Sequence, residues 1–537
     1  MTDCLIIGFN DSDFSGFVDM VKSMGPESGA FRDLNLAYIN YNGRSYRALE
    51  ILDHFYTGGG KERRRTLHNM DFLWPAVIYL GSFLKKRGYT FDYVNLPHLE
   101  KDKLIEKLKQ NDLVTVAITT TLYVSVHPVL ELMKTIREHN TKVKVLVGGP
   151  YISNLPKMVN EATIQRLFKY IGADVYVISN EGETALAQVI EAVKASGDLN
   201  KIENIAYNDE GKYVMTPSSP ESNALEDNMV DYKLFRREDI NEFLTLRTAK
   251  SCPFSCSFCG FPQRAGKYKY LSVDLVEKEL DAIRELGSVN TLTFIDDTFN
   301  VPKERFREIL RMIIRKNYKF KWNSFYRSDH GDPETIDLMG KAGCEGVFLG
   351  IESGSDEMLK RMNKTSRRKD YLNAIPLLRE AGVRSHANVI VGFPGETRET
   401  YQETVDLIET ARPDTYRAQL WYADPVTPIW SQKESYGVKG SAFNWSHDTM
   451  DYQTASDWVD QMFLNVTNSV WLPQNGFEQW STFYLQRRGM SFEAVLDFIK
   501  GFNAIVKEKI ENPEKALVDP EPRLMLPLKA ASALITG

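Results

Sequence analysis

Cysteine is scarce in this chain: 537 residues hold five, and three of those fall between positions 252 and 259. So few thiols exclude a disulfide framework and point to a reducing compartment with one metal site. No run of eighteen apolar residues occurs, so a membrane-spanning helix is not expected. The opening MTDCLIIGFNDSD lacks a basic segment before its apolar run and lacks a small-residue cleavage site. It therefore reads as a first strand and not a secretion signal, and the expected compartment is the cytoplasm. A net charge of −6 leaves no broad cationic surface for nucleic acid or an anionic membrane. The one dense basic run, Lys61 to Arg65, is either a solvated loop or an anion contact. No internal repeat or low-complexity tract is visible. With 43% hydrophobic and 26% charged residues the chain is globular, and its length calls for two or three domains.

Residues 1–197 alternate short apolar runs with amphipathic segments, the rhythm of a Rossmann-like α/β domain with a parallel sheet. Strands are expected at Cys4–Gly8, Phe91–Asn95, Leu113–Thr119, Val143–Gly148 and Asp174–Ile178. Residues 9–66 interrupt this rhythm as an insertion without an assignable pattern. Residues 198–240 lose periodicity around Pro217, Ser218, Ser219 and Pro220, and read as a linker. Between 241 and 421 the alternation resumes, with strands expected at Phe243–Arg247, Thr291–Asp296, Lys321–Phe325, Gly346–Ile351, Ser385–Val391 and Thr415–Trp421. Six strand–helix units favour a partial (β/α) barrel over a doubly wound sheet. Residues 422–537 change character to a mainly helical, aromatic-rich region; six of the eight tryptophans lie beyond residue 420. These rings are packed core or the wall of a substrate site.

Lys250 to Pro262 spaces Cys252, Cys256 and Cys259 as C-x3-C-x2-C, just after the first expected barrel strand. Three thiolates on one tight loop can each take one iron of a cubane and leave the fourth iron open for a small molecule. Structural zinc is the alternative. It would want a fourth Cys or His at finger-like spacing, and no His occurs between His139 and His330. Only Cys4 and Cys344 remain elsewhere, too few for a second cluster.

With Phe258 just before its third thiol, the triplet resembles the signature of the radical S-adenosylmethionine (SAM) superfamily. Further matches follow in order: Phe294 to Phe299, Arg327-Ser-Asp329, Phe348 to Asp356, and Asn388 to Glu396. The resemblance implies a [4Fe–4S] cluster on Cys252, Cys256 and Cys259, whose open iron chelates SAM. It implies SAM contacts from Phe258, Asp296, Glu352, Ser353, Val391, Gly392, Gly395 and Glu396. Glu352 is alternatively a barrel ion-pair partner, and the 392–396 turn a simple helix entry. Of the adjacent Asp296 and Asp297, one faces the barrel interior.

Thr119-Thr120-Thr121, Gly148-Gly149 and Glu181-Gly182-Glu183 each follow an expected strand. In that order they are similar to the loops of the cobalamin-binding domain fused to many radical SAM enzymes, and Met70 to Gly88 is similar to the helix that opens such domains. These loops are expected to hold cobalamin, the glycines by close backbone approach and the hydroxyls by hydrogen bonding. An ordinary nucleotide-type α/β domain is the alternative. No histidine has Asp two places before it, so the Asp-x-His-x-x-Gly motif of cobalt-ligating domains is absent. The combined resemblance implies a cobalamin-dependent methyltransferase, acting through a 5′-deoxyadenosyl radical and methylcobalamin. Its substrate is expected to be a small natural product, free or carrier-tethered, methylated at an unactivated carbon or a phosphinate phosphorus. An external one-electron reductant such as flavodoxin or ferredoxin is implied as a partner. Oxidative cyclisation or rearrangement with the same cofactors is an alternative, as is a cobalamin and cluster sensor without turnover. Arg327 and His447 are expected to touch substrate.

Overall fold

The computed structural model describes residues 2–57, 66–221, 223–513 and 519–536. The basic run Lys61 to Arg65 lies outside these residues. Thr2–Ile7 pairs in parallel with Phe91–Val94 on one side and Leu113–Thr119 on the other, and Lys144–Gly148 and Val175–Val177 extend the sheet. Successive side chains point to opposite faces. Leu5, Ile7, Val116, Ile118, Val145 and Val147 pack with Leu132, Ile136 and Phe168 of the helices on one face. Cys4, Ile6, Ala117 and Leu146 face the helices Pro75–Lys86 and Glu183–Ala195, within a core continuous with the rest of the protein. Because both faces are covered, these strands are apolar nearly throughout.

Part of the expected linker is sheet instead. Ile205–Asp209 and Lys212–Met215 form an antiparallel hairpin on the Val175–Val177 edge. Its turn residues Glu210 and Gly211 both have positive φ, 51° and 89°, which suits the twist of a two-residue hairpin. Such short strands next to a Pro/Ser run carry too little alternation to stand out in sequence.

Phe243–Leu246, Thr291–Phe294, Lys321–Tyr326, Cys344–Glu352, Arg384–Val391 and Thr415–Leu420 are parallel neighbours in that order. This is the expected six-stranded open barrel. Val470–Trp471 adds a seventh strand beside Thr415–Leu420, so the sheet extends past the expected boundary at 421. The helix Ser481–Arg487 plugs one end. Gly346 leaves room for its phenyl ring, since a Cβ there would lie 2.2 Å from Phe483 Cζ. Arg487 pairs with Glu345 and donates to Thr291 Oγ1 at 2.5 Å.

The insertion folds onto the C-terminal region. Its helices Phe14–Lys22, Gly29–Asn35 and Ala48–Thr57 flank the hairpin Tyr38–Tyr41/Arg44–Arg47. Arg32 reaches Asp457 at 2.7 Å and Asp460 at 2.6 Å. Lys509 Nζ donates to the carbonyls of Asn35 (2.6 Å) and Tyr38 (2.8 Å). Segments far apart in sequence thus form one cap. Trp421, Trp445 and Trp471 are buried, and Trp430, Trp458 and Trp480 are half-buried. Among the described residues, no helix is long and apolar enough to cross a membrane.

The plug yields a stability prediction. Phe483→Ala is expected to cost about 3–5 kcal/mol. The measurement is a lowered denaturant midpoint at unchanged m-value.

Candidate active site

The chain leaves the first barrel strand at Arg247 and turns into the loop that carries the three thiols. Asp296, at the end of the neighbouring strand, fixes that turn. The N–H groups of Thr248 (2.6 Å) and Ala249 (2.9 Å) donate to its Oδ1, and Thr248 Oγ1 donates to Oδ2 at 2.5 Å. Asp296 is fully buried, which raises its carboxyl pKa against the lowering by these donors. Both oxygens accept hydrogen bonds from the root of the cluster loop, so Asp296 supports that loop. Asp297 retains solvent exposure, and its charge acts on Cys252 and Cys259. The loop is also tied to residues 361–363. Ser257 N–H donates to Met362 O (2.9 Å), Ser257 Oγ to Arg361 O (2.9 Å), and Asn363 Nδ2 to Ser255 O (2.7 Å).

Cys256 is buried, Cys252 and Cys259 are half-buried, and all five cysteines are free thiols. Burial pushes the Cys259 thiol up to about 11, so a bound metal must displace its proton. Three thiols on one loop suit a cubane, whose ligands sit on separate irons. Among the described residues, Asp11, His68 and His98 also bring three candidate ligand atoms within 4.8 Å of one another. The Asp11 set does not suit a cation. Met70 N–H donates to His68 Nδ1 and Asp11 N–H to His98 Nδ1, both at 3.1 Å, which leaves the ring protons on Nε2. His68 Nε2 then donates to Asp11 Oδ2 at 3.2 Å, beside Arg47 at 2.6 Å.

Beside the cluster loop, Glu352 ends its strand at φ 66°, a strained backbone for a residue with a side chain. Its buried carboxyl lies 3.5 Å from Lys364 Nζ, which donates to Gly350 O and sits 5.9 Å above the Phe258 ring. Burial raises the Glu352 pKa, and Lys364 opposes that rise. An acid and an amine side by side match the amino and carboxylate groups of SAM. Lys364 was not among the residues expected from sequence. Its only signal is a lysine twelve positions after Glu352, whose fold-back is a tertiary fact. Ser353 Oγ contacts Thr404 Oγ1 (3.2 Å) and accepts Ser355 N–H (3.1 Å), so it serves its own turn. Gly392 and Gly395 have φ of 90° and 91°, and Gly392 N–H donates to Glu396 Oε2 at 2.6 Å. Burial pushes the Glu396 carboxyl up to about 8. Val391, just before this turn, is buried.

The two expected substrate contacts have other partners. Arg327 pairs with Asp329 (2.9 Å), donates to Thr365 Oγ1 (2.6 Å) and stacks 3.7 Å over Phe254 of the cluster loop. His447 is buried against the Gly392 carbonyl at 3.1 Å.

On the N-terminal sheet, Thr120 N–H and Oγ1 both donate to Gly148 O at 2.8 Å, which is a structural role. Thr121 follows on the same loop and is half-buried. Thr119 Oγ1 and Asn154 Oδ1 are buried without partners. Close by in sequence, Leu122 and Val124 are 56% and 87% exposed, Leu122 at φ 67°. Gly149 lies against Thr120 N, 2.9 Å from where a Cβ would stand. Unsatisfied polar atoms beside exposed apolar ones fit a large, amide-bearing macrocycle. Glu181 forms an ion pair with Lys250, two residues before Cys252, and accepts Asn223 N–H at 3.1 Å. Gly182, at φ 80°, opens the following helix, and burial pushes the Glu183 carboxyl up to about 7.

Known families match these two halves. The profile described as Radical SAM superfamily matches residues 246–408, and that of the B12 binding domain matches residues 69–190. The chain thus joins a B12-binding domain to a radical SAM domain, which implies a [4Fe–4S] cluster, SAM and cobalamin as its cofactors. It is 27% identical over 334 residues to an uncharacterised methyltransferase of Pyrococcus horikoshii, covering 61% of this chain and 70% of that protein. It is also 27% identical to the anaerobic magnesium-protoporphyrin IX monomethyl ester cyclase of Cereibacter sphaeroides, covering 67% of this chain and 60% of that one. In fold it is similar to the radical SAM methyltransferase TsrM of Kitasatospora setae with cobalamin and cluster bound: TM-score 0.57, 18% identity, 82% of this chain and 80% of that chain. The cobalamin-dependent radical enzyme OxsB, with aqua-cobalamin and SAM bound, is similar at TM-score 0.57 and 14% identity, over 94% of this chain and 89% of that one.

Two outcomes are expected. Asp296→Ala, with every thiol intact, should take up less than half the wild-type iron on anaerobic reconstitution, read by iron count and cluster absorbance. Glu396 ionises near 4.5 when unfolded and near 8 when folded, so the unfolded state releases its proton first and stability falls as pH rises through that window. Denaturation midpoints measured from pH 6 to 8 should show a smaller fall in Glu396→Gln.

Proposed function

We propose that the protein is a cobalamin-dependent radical SAM methyltransferase, methylating an unactivated carbon or a phosphinate phosphorus of a small natural-product substrate, free or carrier-tethered. When bound, the cluster with SAM supplies a 5′-deoxyadenosyl radical and the corrinoid supplies the methyl group. The Lys250–Glu181 ion pair carries the reading, because it joins the cluster loop directly to a loop at the cobalamin-side strand ends. Within that arrangement, Lys364 and Glu352 orient the amino-acid part of SAM. Leu122 and Val124 give an apolar surface that excludes water from a radical reaction. An external one-electron donor, a flavodoxin or ferredoxin, reduces the cluster, and five free thiols suit a reducing cytoplasm.

The similarity to a ring-forming cyclase favours one competing reading, oxidative cyclisation with the same cofactors. The test is turnover of reconstituted enzyme with methyl-deuterated SAM, reduced flavodoxin and a panel of candidate substrates. Methyl transfer predicts one S-adenosylhomocysteine and one 5′-deoxyadenosine per product, with deuterium in the product. 5′-Deoxyadenosine with an unlabelled, oxidised product would replace this reading with cyclisation.

A further inference from the structure

The turn after Val391 is gripped from both sides, and one grip comes from outside the barrel. Within the turn, Gly392 N–H donates to Glu396. From the C-terminal region, His447 Nε2 meets Gly392 O at 3.1 Å. The direction of that hydrogen bond follows from the other ring nitrogen. Thr449 N–H (3.4 Å) and Oγ1 (3.1 Å) both lie at His447 Nδ1, and the backbone N–H can only donate. Nδ1 is therefore the acceptor and Nε2 carries the proton. Burial lowers the His447 pKa, so the ring is neutral at pH 7 and Nε2–H is retained.

The ring is itself held in place. His447 stacks on Trp445 with centroids 5.2 Å apart and planes 5° apart. Trp445 Nε1 donates to Trp421 O, and Trp421 N–H donates to Val391 O, both at 2.8 Å. Residues 391 and 392 thus present two consecutive carbonyls to this aromatic group. Trp445 also sets how closely the turn can approach, since a Cβ on Gly392 would lie 2.6 Å from Trp445 Cη2 and 2.7 Å from Ala455 Cβ.

We propose that His447 is a positioning residue for SAM: it fixes the Gly392 carbonyl and with it the 391–396 turn expected to contact SAM. The C-terminal region then helps determine SAM affinity, although none of its residues belongs to the matched radical SAM segment. This inference rests on the SAM-binding role of the turn and not on methyl transfer, so it stands if the product is a cyclised one.

The test is SAM affinity of the cluster- and cobalamin-loaded protein, by equilibrium dialysis without reductant or substrate. His447→Ala is expected to weaken SAM binding about five- to twenty-fold, the worth of one to two hydrogen bonds, with iron and corrinoid contents unchanged. His447→Gln, which keeps an N–H donor at similar reach, should recover SAM binding to within threefold of wild type. Thr449→Ala removes the hydroxyl at Nδ1, leaving only the longer backbone N–H contact to hold the ring, and is expected to weaken SAM binding two- to fourfold. Unchanged affinity in His447→Ala, or an equal loss in the Gln variant, would overturn the proposal. If His447→Ala does not load its cofactors, the Thr449→Ala result decides: unchanged affinity there also overturns it.

Discussion

The cluster loop can stand where it does because a buried carboxylate holds its root. Asp296 collects three donors from Thr248 and Ala249, and Arg305 supports Thr248 from behind through its carbonyl (3.2 Å) and hydroxyl (2.9 Å). Removing such an acceptor leaves several buried donors unpaired at once, which costs more than the loss of any one bond. The rest of the site is arranged from that root: the 361–363 turn against Ser255 and Ser257, the Arg327–Phe254 stack above them, and Lys250 reaching across to Glu181. One carboxylate therefore sets the height of the thiols relative to both cofactor-binding halves.

Much of this was legible in the sequence where chemistry is local. Thiol spacing within eight residues requires a tight loop whatever surrounds it, and alternation of apolar runs gave the two parallel sheets to within a residue or two at most strand ends. Roles that depend on side-chain direction were not legible. Asp296 and Ser353 sit in matching motifs, and nothing in those motifs shows the hydrogen bonds that tie their oxygens to neighbouring segments. Lys364 and His447 act on strands reached only through a fold-back, Lys364 at Glu352 and His447 at Gly392. No periodicity announces such contacts, because each depends on one tertiary meeting and not on a repeating face.

The same limit explains the insertion. Residues 14–57 form short helices and a hairpin; Phe14, Val18, Val21, Leu34, Ala37 and Tyr38 make a small core of their own, while Leu49, Ile51, Leu52 and Tyr56 join the main core that includes Met525 and Leu528 of the far end of the chain. Lys509 shows how complete that burial is. Its ammonium has two carbonyls and the Tyr38 ring as neighbours, and burial drives its pKa well below the usual lysine range. An amine in such a place makes its contacts only when both segments have arrived.

That arrival takes time during synthesis. Arg32 and its acidic partner Asp457 are 425 residues apart in the chain. At ribosomal rates of about 5–20 residues per second, the first segment waits on the order of 20–85 s for its counterpart. During that interval the helix Ala48–Thr57 is without the helix Pro522–Ser532 that packs against it in the finished fold. Apolar surface left uncovered for that long is what a holding chaperone binds, so the last helix to be made is also the one that ends the exposure of that early one.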